Sequence, residues 1–413
     1  MITSLVFLAF VAVACTDTGT EPRDIPERVK LTLIDVAVRE TYLHIAVAGP
    51  TMEESLFVHR DGRTVLRLPA VEDTSIADTG LVQTTTYAYS AFLVATTETT
   101  GTSNIISART LAPTSHNFTW QTFLLGDGNG SALYDVALIN DSLAFACGEI
   151  YLGGDPTRYN AAIWDGGAWN IVRIPYYYQG QPFYNPIQAV FALSKDDVWF
   201  AGNGVIHWDG HQYIPIDISA VWGPYRINRI WGNVGDIWIV GEGGAMAHRD
   251  ASGTWQRLES GTTTQINDAW GVVNPVTGRE EVYCSAGDRV LRIRSTDNID
   301  SVWRTTRTRD GIWTHSGFPI FTAGDGVFEN SAGRWQEANI GAGIYTNAIR
   351  GNALNDLFAV GDFGLLAHFN GMTWNPLVQN PGGDYYNLAM RDRLVVAVGE
   401  MNARGLIIIG RRN

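Results

Sequence analysis

The sequence predicts an all-β chain in two parts, a small β-sandwich followed by seven four-stranded sheets closed into a ring. Three observations predict it. Short alternating apolar segments separated by turn residues run through about residues 29–115; one element, a small or apolar residue, then Gly, then a polar residue, closes an apolar strand seven times after that; and all fourteen Trp fall between Trp120 and Trp374. At 413 residues, 45% hydrophobic and 17% charged, the chain is globular and too long for one ordinary core. Its formal net charge of −13 leaves no excess of Lys and Arg to displace phosphate counterions, so nucleic acid is not expected as a partner.

The only long apolar run is Leu5 to Ala14, too short for a membrane span and placed where the apolar stretch of a leader belongs. Residues 1–14 are expected to be a signal peptide. The end of the run, Ala12-Val13-Ala14-Cys15, resembles a bacterial lipobox, in which small residues precede a cysteine that becomes the lipidated mature N-terminus. The resemblance implies lipidation at Cys15, a tether over residues 15–28, and an exported protein anchored to the cell envelope at the outer membrane or cell surface. An ordinary leader with an unmodified cysteine is the alternative. Cys147 and Cys284 remain. Both fall on the second strand of a repeat, three repeats apart, and a disulfide needs Cα atoms within roughly 7 Å, so they read as buried free thiols.

In the first part, Val29-Lys-Leu-Thr-Leu-Ile-Asp-Val and Tyr42-Leu-His-Ile-Ala-Val alternate as half-buried strands do. Arg60-Asp61-Gly62 suits a hairpin turn, because Asp-Gly accommodates positive φ. Asp78-Thr-Gly-Leu81 followed by Thr85 and Tyr87 resembles the L-x-P-x-T-x-Y signature of fibronectin type III domains, with Gln83 where Pro is usual. The resemblance implies a tyrosine corner at Tyr87, its hydroxyl bonded to upstream backbone, and a domain over residues 29–115 that serves as spacer or platform.

From residue 117 to 413 the copies are Cys147-Gly148-Glu149, Ala201-Gly202-Asn203, Val240-Gly241-Glu242, Ala286-Gly287-Asp288, Ala323-Gly324-Asp325, Val360-Gly361-Asp362 and Val398-Gly399-Glu400. Their spacing, roughly 37 to 54 residues, is that of propeller blades. Strands a to d are clearest in Ile227-Asn-Arg-Ile-Trp-Gly, Asp236-Ile-Trp-Ile-Val-Gly, Gly244-Ala-Met-Ala-His-Arg-Asp and Gly253-Thr-Trp-Gln-Arg-Leu, and Trp169, Trp255, Trp335 and Trp374 share one position on strand d. The last copy stops after strand c, at Leu406-Ile-Ile-Ile-Gly, while a lone strand d, Phe118-Thr-Trp-Gln-Thr-Phe123, precedes the first. Together they complete one mixed blade and remove the exposed sheet edges. A seven-bladed β-propeller closed by an N-terminal strand is the expectation. The repeat resembles the tandem D-V-W-A-V-G and H-W-D-G type of secreted bacterial propellers and, more loosely, the Asp-box repeats of sialidase-like propellers and photosystem assembly factors; Asp250-x-x-Gly253-Thr254-Trp255 comes nearest to an Asp box.

His207, His248 and His368 occupy one strand-c position, and equivalent positions in different blades radiate apart, so they read as structural and no metal is expected. The residue after the repeat Gly is acidic at Glu149, Glu242, Asp288, Asp325, Asp362 and Glu400. All six sit on the face of the b-to-c turns, either as turn chemistry or as an acidic ring drawing cations or basic peptide. The d-to-a loops on the same face carry Tyr176, Tyr177, Tyr178, Phe183 and Tyr184, then Trp222, Tyr225 and Arg226, then Tyr385 and Tyr386. These offer stacking surface to a sugar or anchors to a protein, or else pack on one another and plug the channel. Arg350 stands where Trp231 and Trp270 stand in other copies and is expected to point into the channel. The function expected is a monomeric, cofactor-free binding or scaffold protein for a protein or glycan. A glycoside hydrolase or lyase is the alternative, using two carboxylates of this face with Arg226, Arg229 and Arg350. Asp127-Gly-Asn-Gly130 begins a calcium loop without completing one.

Overall fold

The computed structural model describes residues 25–178, 180–331, 333–341, 343–378 and 382–413, with the side chains of Tyr178 and Val378 left aside; residues 1–14, expected to be a signal peptide, and Cys15 lie outside the described residues. The fold is all-β, with two one-turn 3-10 helices as the sole helical elements among the described residues, and most of it is a β-propeller.

The first part is a sheet in the order Arg63–Pro69, Glu54–Arg60, Thr86–Ala95, Glu98–Ser103, Glu27–Val36, Glu40–Val47, Asp73–Thr79, with Ile106–Arg109 added to Thr86–Ala95. It folds over one core because its strands alternate: Val29, Leu31, Leu43, Ile45, Leu56, Val58, Tyr89, Ala91 and Leu93 are buried on one side. Arg60 pairs with Arg63 across Asp61 and Gly62, whose φ values of 50° and 76° make the two-residue turn. Tyr87 Oη accepts the Val82 N–H at 2.9 Å.

The propeller consists of five separate four-stranded sheets and one seven-stranded sheet. The latter arises because one long strand, Asn298–Thr314, pairs through Asn298–Arg304 with Gly287–Ser295 and through Arg309–Thr314 with Ile320–Gly324. Apolar clusters fill the spaces between successive sheets, and one joins Leu133, Val136 and Ala146 of the first sheet to Val396, Val398 and Ile407 of the last. The ring closes where Phe118–Leu125 pairs antiparallel with the final strand, Gly405 opposite Leu125 and Arg412 opposite Phe118.

Two local motifs explain the repeat. An Asp at the start of strand b bonds a His on strand c, and an aromatic residue two places after the Asp stacks on that His. His207 Nε2 lies 2.8 Å from Asp197 with Trp199 at 4.2 Å between ring centroids, and His248 lies 2.7 Å from Asp236 with Trp238 at 4.1 Å. His368 lies 3.1 Å from Asp356 with Phe358 at 4.6 Å. The second motif is the c-to-d turn, where Asp165, Asp209, Asp250 and Asn370 each accept backbone N–H groups two to four residues on through their side-chain oxygen. Cys147 and Cys284 are buried free thiols.

The two parts touch on the propeller face of the a-to-b and c-to-d turns. Asp35 accepts from Ser316 Oγ at 2.6 Å and meets His315 Nδ1 at 2.8 Å, and Asn355 Nδ2 donates to the Ala112 carbonyl at 2.7 Å. Tyr42 packs edge-on against Phe318, and a cavity of about 240 Å³ between the parts is lined by Arg39, Glu40, Tyr42, Phe321 and Glu329. Gly371 is required here: its φ is 88°, and a Cβ would lie 2.3 Å from Val38 Cγ2.

Candidate functional site

The opposite face, that of the b-to-c turns, has a polar hollow that draws on strands all round the ring, a cavity of about 440 Å³ over the channel axis. It is built by the inner strand of each sheet. That strand meets its neighbour at the repeat Gly and then bulges by one residue, as at Leu133/Asp135, Ile227/Arg229, Arg309/Gly311, Thr346/Ala348 and Tyr385/Asn387. The extra residue is turned away from the inter-sheet core. Tyr134, Asn228, Asp310, Asn347 and Tyr386 are the bulged residues, and Gln188 and Asn267 take the same place one residue ahead of their strands. The repeat Gly makes the approach possible: a Cβ on Gly148, Gly241, Gly361 or Gly399 would fall within 2.3 Å of a carbonyl oxygen of the inner strand or its approach.

The lining is mostly amide. Asn228 Nδ2 donates to the Ile266 carbonyl at 3.0 Å, and Asn347 Nδ2 to Asp362 Oδ1 and the Tyr385 carbonyl, both at 2.9 Å. Asp310 accepts from Asn267 Nδ2 and Tyr345 Oη, neutral donors, and burial raises its pKa. Tyr134 and Tyr386 stack at 6.2 Å on one wall.

Below the cavity the channel is closed by charge. Asp135, Arg229, Asp268 and Arg350 come from four different sheets and meet across the axis. Arg229 lies 2.6 Å from Asp135 and 3.1 Å from Asp268, and Arg350 donates to both Asp268 oxygens at 2.8 Å. All four are buried. The aspartates also tie adjacent inner strands together, Asp135 accepting the Val190 N–H and Asp268 that of Ile312, each at 2.9 Å. Burial drives the Asp135 pKa up; burial also opposes the charge on Arg229, but Asp135 and Asp268 outweigh it and hold that guanidinium protonated.

The residues expected from sequence are dispersed by this geometry. Tyr386 and Arg226 line the cavity. Tyr385, Trp222 and Tyr176 are buried and present no ring to solvent, because Tyr385 packs between sheets, Trp222 Nε1 donates to the Tyr225 carbonyl at 2.7 Å, and Tyr176 stacks on Phe183 at 5.6 Å. Tyr177 and Tyr225 are exposed, and Tyr184 lies 5.8 Å from Arg173. Arg350 extends to the channel axis, where its guanidinium is buried against Asp268, with Trp270 5.2 Å away.

The six turn carboxylates each have a local donor. Glu149 accepts from Tyr134 at 2.6 Å and Tyr151 at 2.8 Å, Glu242 pairs with Arg226 at 3.3 Å, and Asp288 with Arg289 at 2.8 Å. Asp325 lies 3.9 Å from Arg307, Asp362 accepts from Asn347, and Glu400 accepts the Ala403 N–H at 2.9 Å. Of the bulge residues, sequence reading named Tyr386 alone; Tyr134, Gln188, Asn228, Asp310 and Asn347 stand 13 or 14 residues before the repeat Gly, as Tyr386 does, whereas Asn267 stands 20 before Gly287 and is out of line.

No family model and no curated protein matches the sequence. Solved structures do. The chain is similar to YCF48 bound to D1 peptide (15% identity, TM-score 0.54, covering 73% of this chain and 100% of that one) and to YCF48 from Cyanidioschyzon merolae (14%, 0.54, 71% and 98%). It is also similar to the extracellular domain of the putative one component system BT4673 from B. thetaiotaomicron (11%, 0.50), of which it spans 39%. At these identities the likeness is one of fold, and it is to propellers.

Proposed function

We propose that the protein is a lipid-anchored cell-envelope binding or scaffold protein, in which a fibronectin type III-like module carries a seven-bladed propeller whose amide-lined mouth engages a protein or glycan. The observation that carries the reading is the open polar cavity set over a channel shut by Asp135, Arg229, Asp268 and Arg350: a floor of paired charges under a ring of amides suits holding a ligand, not passing one. Of the carboxylates in the cavity, Asp268 is committed to two arginines, which leaves Asp310 and weighs against two-carboxylate hydrolysis.

The count of seven is supported by taking each half of Asn298–Thr314 as one blade's strand, outer in the first half and inner in the second. The fibronectin type III reading is supported by the pairing order of the first sheet and by the bond from Val82 to Tyr87. Glu27, the start of the first strand, lies nine residues from Val36 and so roughly 30 Å from the end that meets the propeller, which suits a spacer between tether and ring. Structural neighbours include a peptide-bound propeller and the extracellular domain of a putative one component system, which fits a binding role. The reading is tested by labelling cells with an alkyne fatty acid and by probing a glycan and peptide array with the protein lacking residues 1–14. Lipid label lost on Cys15→Ser, and array signal lost on Asn347→Ala, are expected. Label retained in the variant, or no array signal at all, overturns the corresponding half.

A further inference from the structure

Glu242-Gly243-Gly244 and Asp362-Phe363-Gly364 form the same one-turn helix at the same repeat position, with φ and ψ of 64° and 17° at Gly243 and 55° and 32° at Phe363. Glycine adopts that left-handed conformation freely, whereas a phenylalanine there sets its Cβ against its own backbone. Core packing does not compensate, because Phe363 is 65% exposed. The turn is instead pinned by the Phe363 N–H, which donates to Asp384 Oδ1 at 2.8 Å. A strained backbone retained to hold an aromatic ring out in solvent, at the rim of a cavity, points to something that covers the ring in use.

Charge indicates what that is. Around this sector stand Glu149, Asp310, Asp362, Asp384 and Glu400. The pKa of Tyr386, among them, is pushed up to about 12 by burial and then by Glu400, Asp384 and Asp362. Three guanidiniums are near, and all are occupied: Arg158 lies 3.3 Å from Glu149, Arg309 is buried with its nitrogens on the carbonyls of Asp325 and Gly326, and Arg404, in the hairpin of Glu400, donates to the carbonyls of Gly126 and Leu124. The sector therefore has more carboxylates than cations, in a molecule that is acidic overall. In the floor beside it, Asn347 keeps its amide oxygen as an acceptor, both of its N–H groups being donated, and Asn267 keeps one amide N–H.

We propose that this sector docks an extended basic polypeptide segment, with Phe363 seating the aliphatic stem of a Lys or Arg side chain, the surrounding carboxylates taking its charged end, and the floor amides its peptide groups. This rests on the mouth being a partner-binding face. The stem-and-head arrangement follows from the side chains themselves, since long cationic side chains bury methylenes while keeping the charge solvated or paired.

The test uses the protein from residue 16 onward and four fluorescent probes in anisotropy titrations: a dodecapeptide of repeating Lys-Ala-Leu, the same peptide with Glu for Lys, the same with Ser for Lys, and a neutral hexasaccharide. The Lys peptide is expected to bind at least about tenfold more tightly than the other three, and the advantage to shrink as salt rises. Phe363→Gly is expected to weaken the Lys peptide by about tenfold and yet raise the melting temperature, because Gly243 shows that the turn takes glycine; Glu400→Gln weakens binding less and flattens the salt dependence. Equal binding of the Lys and Glu peptides, or Lys-peptide affinity unchanged in Phe363→Gly, overturns the proposal. Tight saccharide binding lost in Asn347→Ala, without peptide binding, overturns it while leaving the mouth a ligand site. No probe bound by any form counts against both.

Discussion

The N-terminal module and the propeller differ in where they enclose charge. In the module, ion pairs sit at the margin of an apolar core: Arg28 reaches Glu54 at 2.7 Å and Arg60 reaches Asp78 at 2.8 Å, both arginines partly exposed. The propeller has marginal pairs as well, such as Arg226 with Glu242 and Arg289 with Asp288, but it also sets Asp135, Arg229, Asp268 and Arg350 at its centre, on the axis and enclosed. The difference follows from topology. A sandwich has one interior, bounded by two apolar faces, and can place every charge outside it. A ring has its apolar interiors between the sheets and a second, narrow space where the inner strands converge. Backbone N–H groups of those strands, such as Val190 and Ile312, turn towards it and need acceptors. Aspartates supply them, and the arginines then balance the aspartates.

Removing Asp268 is the severest way to break that contrast. Asp268→Ala leaves Arg350 with no carboxylate and Arg229 with Asp135 alone in a dry site, and orphans the Ile312 N–H, so a loss of about 3–5 kcal/mol is expected in urea unfolding. A loss under 1 kcal/mol would mean that the axis admits water and that the two parts are not so different.

The seam between the parts yields the next effect. The Glu329 pKa is raised to about 7 by burial and by Glu40 across the cavity, from an ordinary value of 4.5. A carboxyl that binds its proton more tightly when folded contributes fully below pH 4.5, and that contribution is lost as pH rises through about 7. His315, whose pKa is raised by its bond to Asp35, acts in the same direction, while His116, lowered by burial and by His368, opposes both below its ordinary range. The wild type should therefore lose about 2–3 kcal/mol more than Glu329→Gln between pH 5 and pH 8. Parallel pH profiles for the two proteins would show that Glu329 meets water, not Glu40.

The smallest effect sharpens the comparison from the module side. Asp78 accepts two bonds from Arg60 and one from Tyr89 Oη at 2.8 Å, but Arg60 can turn to solvent. Asp78→Ala should cost about 1–2 kcal/mol, less than half of the axial substitution. Equal costs at the two sites would sink the idea that position relative to the core decides the value of a charge here.

Much of the architecture was legible because it depends on local chemistry that repeats. The Gly at the end of strand b marks where a neighbouring carbonyl comes too close for a Cβ, and the Asp-x-Trp with its His marks a stacked pair within one sheet. The site was less legible. The aromatic loop residues left two readings open, a surface for a ligand or rings packed on one another, and Tyr176, Trp222 and Tyr385 take the buried course, sealing the sheets where those loops descend. Hydrophobicity alone does not say whether a ring caps a core or faces a ligand. The polar column that lines the mouth carried its signal in alignment, not in composition, and a one-residue bulge is what turns it inward. Phe363 was invisible for a different reason: only the backbone angle distinguishes it from any other surface aromatic.

The pairing of Phe118–Leu125 with the last strand has a temporal consequence. Strands separated by nearly the whole length of the ring must find one another, so no closed ring exists until Arg412 has been synthesised. A ribosome-bound chain lacking only its final hairpin would hold open sheets with their edges unpaired, vulnerable to self-association, whereas the module, complete at Arg109, can fold while the rest is still being made. Maturation is thereby split into an early local event and a late, all-or-none one.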